Sequence, residues 1–62
     1  MKSREVIKRL KAAGWTAVRQ EGSHIQLRHA TLAGTVTVPH PKSDLAIGTL
    51  RSIEKQSGVK LR

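Results

Sequence analysis

No cysteine, phenylalanine or tyrosine occurs in this chain of 62 residues, and tryptophan and methionine each occur once. The lack of cysteine excludes disulfides and thiolate metal sites. The core must then be built from Val, Ile, Leu and Ala, with Trp15 as its one large side chain. A chain this short buries only about 60% of the surface that its unfolded form exposes. We therefore expect a single domain, residues 1–62, with a thin core.

Long apolar runs are also absent. No segment approaches the roughly 18 apolar residues of a membrane span, and the first residues show no leader-like apolar stretch. The three histidines, His24, His29 and His40, lack the spacing of a zinc motif. These absences predict a cytoplasmic protein with no membrane association, no metal and no cofactor.

Negative charge is scarce: four Asp and Glu stand against twelve Lys and Arg, so the formal net charge is +8. An excess of this size favours a nucleic acid, an anionic membrane surface or an acidic protein as partner. A solvated lysine-rich face is the plain alternative. Because the chain has almost no aromatic side chains to stack on bases, contact with the RNA backbone is favoured over base reading.

The local patterns predict an α+β domain of order α-β-β-β-α. Ser3 is expected to cap a first helix that carries an apolar stripe and ends at Gly14. Strands are expected at residues 15–20, 24–29 and 35–38, forming three antiparallel strands with both helices on their apolar face. Ser43 or Asp44 is expected to cap the turn after the two prolines. A second helix then turns Ile47 and its helical neighbours Leu50 and Ile53 inward and ends at Gly58.

The second strand has the clearest alternation. Ile25 and Leu27 point to one face, so His24 and Arg28 point to the other. His24 also follows a glycine-permitted bend, which makes it the best catalytic candidate. His29 shares the face of the buried residues, so a structural role is expected for it. His40 stands between two prolines, where either a second chemical role or a solvated loop position is open.

Metal-independent RNA cleavage needs a base for the 2′-hydroxyl proton, cations for the charge on phosphorus and an acid for the leaving 5′-oxygen. An imidazole can serve as base or acid near neutral pH. The amides of Gly22 and Ser23 can form a small anion-binding concavity. Arg28, on the face of His24, and Lys42, after the double-proline segment, are candidates for phosphate contact; an ordinary solvated lysine is the alternative for Lys42.

Nearly the whole chain resembles the HicA-type toxins of toxin–antitoxin systems, which are small messenger-RNA interferases with a double-stranded-RNA-binding-like fold. The resemblance rests on the order and spacing of short segments: Gly14-Trp15, Gly22-Ser23-His24, Arg28-His29, Thr37-Val38-Pro39-His40-Pro41, Gly48-Thr49-Leu50-Arg51-Ser52-Ile53 and Lys55-Gln56-Ser57-Gly58. It implies that His24 is catalytic and that a HicB-type antitoxin covers the active surface. The chain departs from the family pattern at Glu54, where an apolar residue is frequent, and at Glu21, an acid beside the motif.

Two other classes of function are compatible with the sequence. A non-catalytic RNA-binding module of the same fold would retard RNA and leave it intact, with an affinity that falls as salt rises. A protein-binding element would use its positive face to meet an acidic partner.

Overall fold

The computed structural model describes all 62 residues. It confirms the predicted α-β-β-β-α order, with helices and strands at α1 (Ser3–Ala12), β1 (Trp15–Glu21), β2 (His24–His29), β3 (Thr35–Pro39) and α2 (Ile47–Ser57). The second strand has the predicted ends. The first and third strands each extend one residue further than the alternation indicated.

The three strands form one antiparallel sheet in the order β1-β2-β3. Leu27 of β2 lies opposite Val36 of β3, and both are fully buried. These side chains share one apolar cluster with Leu10 of α1 and Ile53 of α2. Both helices therefore cover the same face of the sheet, and the other face is open to solvent. No helix is long and apolar enough to cross a membrane.

A bulge in β1 changes which side chains reach the open face. Ala17 lies opposite Leu27, and Arg19 lies opposite Gln26, so Val18 is an extra residue without a partner in β2. Since directly opposed residues of two strands share a face, Arg19 projects on the open face with Gln26. Simple alternation from the buried Trp15 would have placed Arg19 and Glu21 on the core side. The bulge brings both charges to the open face.

The beginning of α1 differs from its predicted form. Ser3 was expected to cap the helix, and this is wrong: α1 begins at Ser3, and Lys2 occupies the cap position without a side-chain bond. The buried Ser3 hydroxyl is used elsewhere, since its Oγ lies 2.7 Å from Nδ1 of His40 and accepts the backbone N–H of Lys42 at 2.9 Å. A contact with a distant part of the chain has replaced a local one.

The beginning of α2 also differs. Ala46 occupies its cap position and makes no side-chain cap bond. Before the helix, Asp44 accepts a hydrogen bond from the α-amino group of Met1 at 2.9 Å. Ile47 was expected to point inward but is 55% exposed. At 3.6 residues per turn it lies about 90° around the helix from the centre of the buried stripe, which Leu50, Ile53 and Ser57 form.

The end of α2 is held as predicted, with an addition. Gly58 has a φ of 74°, the left-handed conformation that a glycine end-cap uses. Glu54 then ties down the last residues: its carboxylate accepts the backbone N–H of Leu61 at 2.8 Å and lies 3.0 Å from Nη2 of Arg62. These bonds hold Leu61 in the core. The polar residue at position 54 is therefore a structural anchor for the C-terminal segment.

Candidate functional site

The candidate site is built on the two-residue turn that joins β1 to β2. Glu21 and His24 form the last strand pair, and Gly22 and Ser23 are the connecting residues. Gly22 has a φ of 56°, whereas no residue other than glycine has a positive φ. A positive φ at only the first central residue is the pattern of a type II′ hairpin turn, which favours glycine there. A Cβ at Gly22 would meet nothing within 4 Å, so the glycine is needed for its backbone conformation and not to avoid a steric clash.

The amides of this turn are free to bind a ligand. Neither Gly22 N–H nor Ser23 N–H donates to an acceptor within the protein, and both residues are exposed. Their carbonyl oxygens are occupied: Gly22 accepts from the side-chain amide of Gln20 at 3.2 Å, and Ser23 accepts from the backbone N–H of His40 at 2.7 Å. The turn is thus anchored through its acceptors while its donors face solvent, as an anion-binding turn requires.

His24 begins β2 and is exposed on the open face of the sheet. Its partners across the strands are Glu21 in β1 and Pro39 in β3. The imidazole makes no hydrogen bond within the protein, so both ring nitrogens are available to a ligand. The predicted orientation of His24, away from Leu27, agrees with the structure.

The carboxylate of Glu21 is the one acid next to His24. It accepts a hydrogen bond from Nε2 of Gln26 at 2.9 Å and lies 3.4 Å from Nη2 of Arg19. Arg19 and Gln26 thus hold the Glu21 carboxylate toward the middle of the sheet, away from the turn. The negative charge that the sequence places beside the motif is partly offset by a cation that the bulge brings to the same face.

Arg28 lies on the same open face as His24 and is exposed. Gln26 stands between them, and four residues of strand place their Cα atoms about 13 Å apart at a rise of about 3.3 Å per residue. Arg28 therefore adds a positive charge further along the same face. Arg19, opposite Gln26, is the nearer cation. Sequence reasoning missed Arg19 because alternation alone does not reveal the bulge.

Lys42 lies elsewhere. It follows the turn after β3, where its backbone N–H donates to Ser3 Oγ at 2.9 Å and its carbonyl accepts the Ser3 N–H at 2.9 Å. This position is beside the start of α1, on the helix side of the sheet. The structure thus groups Gly22, Ser23, His24 and Arg28 along the turn and open face, and it places Lys42 with α1.

His29 has the structural role expected of it. Its Nδ1 accepts the backbone N–H groups of Thr31 at 3.1 Å and Leu32 at 3.3 Å, which assigns the ring hydrogen to Nε2. That nitrogen lies 3.1 Å from the carbonyl oxygen of Ala13, and the ring stands edge-on to Trp15 at 5.2 Å between centroids. Both nitrogens are therefore used to join the end of α1 to the loop after β2.

His40 is half-buried and is not the solvated loop histidine that was one of the two alternatives. Its Nδ1 is held by Ser3, and its backbone N–H is bonded to Ser23.

Two carboxyl groups away from the turn have lowered pKa values. A hydrogen bond from the Met1 amine and the charge of that amine lower the pKa of Asp44, and a hydrogen bond from the Leu61 N–H lowers the pKa of Glu54. No group of three or more His, Cys, Asp or Glu side chains is placed to hold a metal ion.

The fold and the site define a small basic α-β-β-β-α domain that presents a histidine beside free amides on a hairpin turn. Residues 3–59 match the family model described as HicA toxin of bacterial toxin–antitoxin. The chain also superimposes on a chain in the solved structure of a HicA3 and HicB3 toxin–antitoxin complex, with a TM-score of 0.87, 38% identity and full coverage of both chains. No curated protein matches it. This chain belongs to the HicA toxin family.

Proposed function

We propose that this HicA-family toxin is a metal-independent endoribonuclease that cleaves messenger RNA, with His24 as its general acid or base. The observation that carries the proposal is the position of His24: an exposed imidazole with no partner in the protein, directly after two free backbone amides. Family membership adds the expectation of a toxin, and the net charge of +8 suits a polyanionic substrate.

The chemistry is transfer of a phosphoryl group within the RNA strand. The 2′-oxygen attacks the adjacent phosphorus, its proton passes to a base, the bond from phosphorus to the 5′-oxygen breaks, and an acid protonates that oxygen. The products are a 2′,3′-cyclic phosphate and a 5′-hydroxyl. His24 supplies one of the two proton transfers, and water can supply the other. The amides of Gly22 and Ser23 stabilise the negative charge that develops on the phosphate oxygens.

Two cations on the open face bind the strand on one side of this bond. Arg28 binds a phosphate next to the scissile one, and Arg19, which lies nearer to the turn, adds a second positive charge. We include Lys42 among the phosphate ligands, on the helix side of the turn. A substrate in messenger RNA implies that the protein works in the cytoplasm.

A HicB-type antitoxin is the proposed protein partner. The similar solved structure is that of a HicA3 and HicB3 toxin–antitoxin complex, and one chain of that complex matches this chain over the whole length of both. An antitoxin that covers the turn and the open face would block access of RNA to His24. Acidic side chains on such a partner would be attracted to the twelve Lys and Arg side chains.

The experiment uses end-labelled single-stranded RNA in the presence of a chelator. Wild-type protein is compared with His24→Ala and with Thr37→Ala, a matched control on the same open face. Loss of general acid–base catalysis is expected to slow cleavage by about 10²- to 10⁴-fold in His24→Ala. Thr37→Ala should cleave at nearly the wild-type rate, and the new ends should be a cyclic phosphate and a 5′-hydroxyl.

A folded His24→Ala protein that still degrades RNA and arrests growth would refute the role of His24. RNA that is retarded but stays intact with wild-type protein would favour the alternative, an RNA-binding module without catalysis. Circular dichroism of each variant separates loss of chemistry from loss of fold.

A further inference from the structure

A basic cleft lies on the helix side of the sheet, away from the open face. It consists of two connected parts of about 400 and about 420 Å³ that share Arg4 and His40. One part continues past Lys42, and the other runs along α1. We call the whole the His40 cleft; its cationic lining residues are Lys2, Arg4, Lys8, Lys11 and Lys42.

The charges of this cleft are uncompensated. No Asp or Glu lines either part. The ion pairs of the protein join Asp44 to the amine of Met1, Glu5 to Arg9, Glu21 to Arg19 and Glu54 to Arg62, and none of the five cleft cations takes part. Like charges held close together in one concave surface repel one another and attract an anion.

His40 stands at the centre of the cleft with its ring orientation fixed. Ser3 Oγ accepts the Lys42 N–H with one lone pair, and toward Nδ1 of His40 it can either donate its hydroxyl hydrogen or accept a ring hydrogen with the other lone pair. When the hydroxyl donates to the neutral ring, the ring hydrogen is on Nε2. When the ring is protonated, Nδ1 donates to Ser3 and Nε2 also carries hydrogen. In both of these states His40 presents an Nε2–H donor without a partner in the protein, and an anion bound at Nε2 favours them.

The cleft is connected to the candidate catalytic turn. The backbone N–H of His40 donates to Ser23, and the preceding residue, Pro39, pairs with His24. Ile25 lines the cleft, whereas His24, one residue earlier, points to the opposite face. A strand that crosses the turn at His24 can thus reach His40 by passing around the end of the sheet.

We propose that the His40 cleft binds a backbone phosphate of the RNA strand next to the bond that His24 cleaves. Nε2–H of His40, the guanidinium of Arg4 and the ammonium of Lys42 are its ligands; the choice of RNA rests on the function proposed above. A fixed imidazole N–H among cations suits a compact phosphate. A protein interface would place apolar side chains at its centre and few charges there, whereas the centre of this cleft is a histidine flanked by cations.

The test measures binding to an RNA oligonucleotide with 2′-O-methyl groups, which lacks the attacking hydroxyl and so stays intact. Wild-type protein is compared with His40→Ala and Arg4→Gln, with Lys55→Gln as a matched loss of charge on α2 outside the cleft. His40→Ala should bind about tenfold more weakly, as for loss of one hydrogen bond to a charged group. Arg4→Gln should flatten the slope of log K against log salt by about 0.7. Lys55→Gln should stay within about twofold of wild type.

Arg4 is exposed, so its variant tests the cleft even if His40→Ala fails to fold. Equal RNA binding by Arg4→Gln and Lys55→Gln would overturn the proposal, as would a wild-type protein that does not bind this RNA. Polyglutamate serves as a model of an acidic protein. If the cleft variants bind polyglutamate more weakly than wild type does but bind RNA as well as wild type does, the proposal is overturned in favour of an acidic protein as the ligand. Because the probe cannot be cleaved, a failure of His24 catalysis would appear only in the cleavage assay and leave this result standing.

Discussion

Glu21 and His24 face each other across β1 and β2 as the closing pair of the hairpin, yet the carboxylate is bonded to Gln26 and Arg19. The imidazole is left without a partner. The acid nearest to the proposed catalytic group is thereby restrained by its neighbours, and its charge is shared with Arg19. An RNA strand bound as proposed would meet this one negative charge beside His24.

Replacing Glu21 by Gln should strengthen RNA binding. At a separation of about 10 Å in water, removing one unit charge is worth about 0.4 kcal/mol, or about twofold in affinity, and Arg19 becomes free to bind phosphate. The measurement is titration of intact RNA at low salt. Glu5→Gln is the matched control, because Glu5 pairs with Arg9 on α1. Unchanged binding by Glu21→Gln would show that the carboxylate lies outside the path of the RNA, and weaker binding would show that it helps to hold the RNA.

Gly22→Ala tests whether the turn depends on the positive φ of Gly22, because the added Cβ would clash with no other atom. A residue other than glycine in the left-handed region costs about 1–2 kcal/mol, so unfolding should occur at correspondingly lower urea. RNA cleavage should fall as well, because the turn amides shift. Gly48→Ala is the control: Gly48 is helical, and a Cβ there also meets nothing within 4 Å. It should be neutral or stabilising by up to about 1 kcal/mol. Equal stability of the two variants would contradict the argument.

His29→Ala should reduce stability and leave the chemistry intact. The substitution removes the ring's bond to Ala13 and leaves the N–H groups of Thr31 and Leu32 without their acceptor, at a cost of about 2 kcal/mol in the free energy of unfolding. Urea unfolding measures this loss. The cleavage rate per folded molecule should equal that of wild type, in contrast to His24→Ala. A folded His29→Ala protein without activity would place His29 in the catalytic machinery.

Glu54 should make the C-terminal segment sensitive to acid. The N–H of Leu61, with a smaller contribution from Arg62, lowers the pKa of this carboxyl in the folded protein. A lowered folded-state pKa means that the stabilisation is present above 4.5, the ordinary pKa of a glutamate side chain, and is lost as pH falls through the folded-state pKa. Unfolding by urea should therefore become easier as the solution is acidified below that pH.

The matched comparison for this pH dependence is Glu54→Gln against Glu5→Gln. The first variant should be less stable than wild type near neutral pH and should lose less of its stability on acidification. Glu5→Gln should stay close to the wild-type profile in that range, because the one ion pair of Glu5, with Arg9 at 3.9 Å, is long and exposed. If Glu54→Gln and wild type respond alike to acid, Glu54 is not the group responsible.

The sequence alone was sufficient for the order of helices and strands and for the orientation of His24. In β2, successive side chains must alternate between faces, so Ile25 and Leu27 in the core direct His24 and Arg28 to the open face. The bend at Gly22 could also be predicted from the sequence, because only glycine adopts this turn conformation at little cost. These features depend on a few adjacent residues.

Only the tertiary structure decided what surrounds the histidines. The bulge at Val18 depends on how β1 pairs with β2, and it transfers Arg19 and Glu21 to the face of His24. The bond from Ser3 to His40 joins residues 37 positions apart. Alternation and helical periodicity describe neighbours along one strand or helix, whereas register shifts and long-range hydrogen bonds are fixed by the partners that packing brings together.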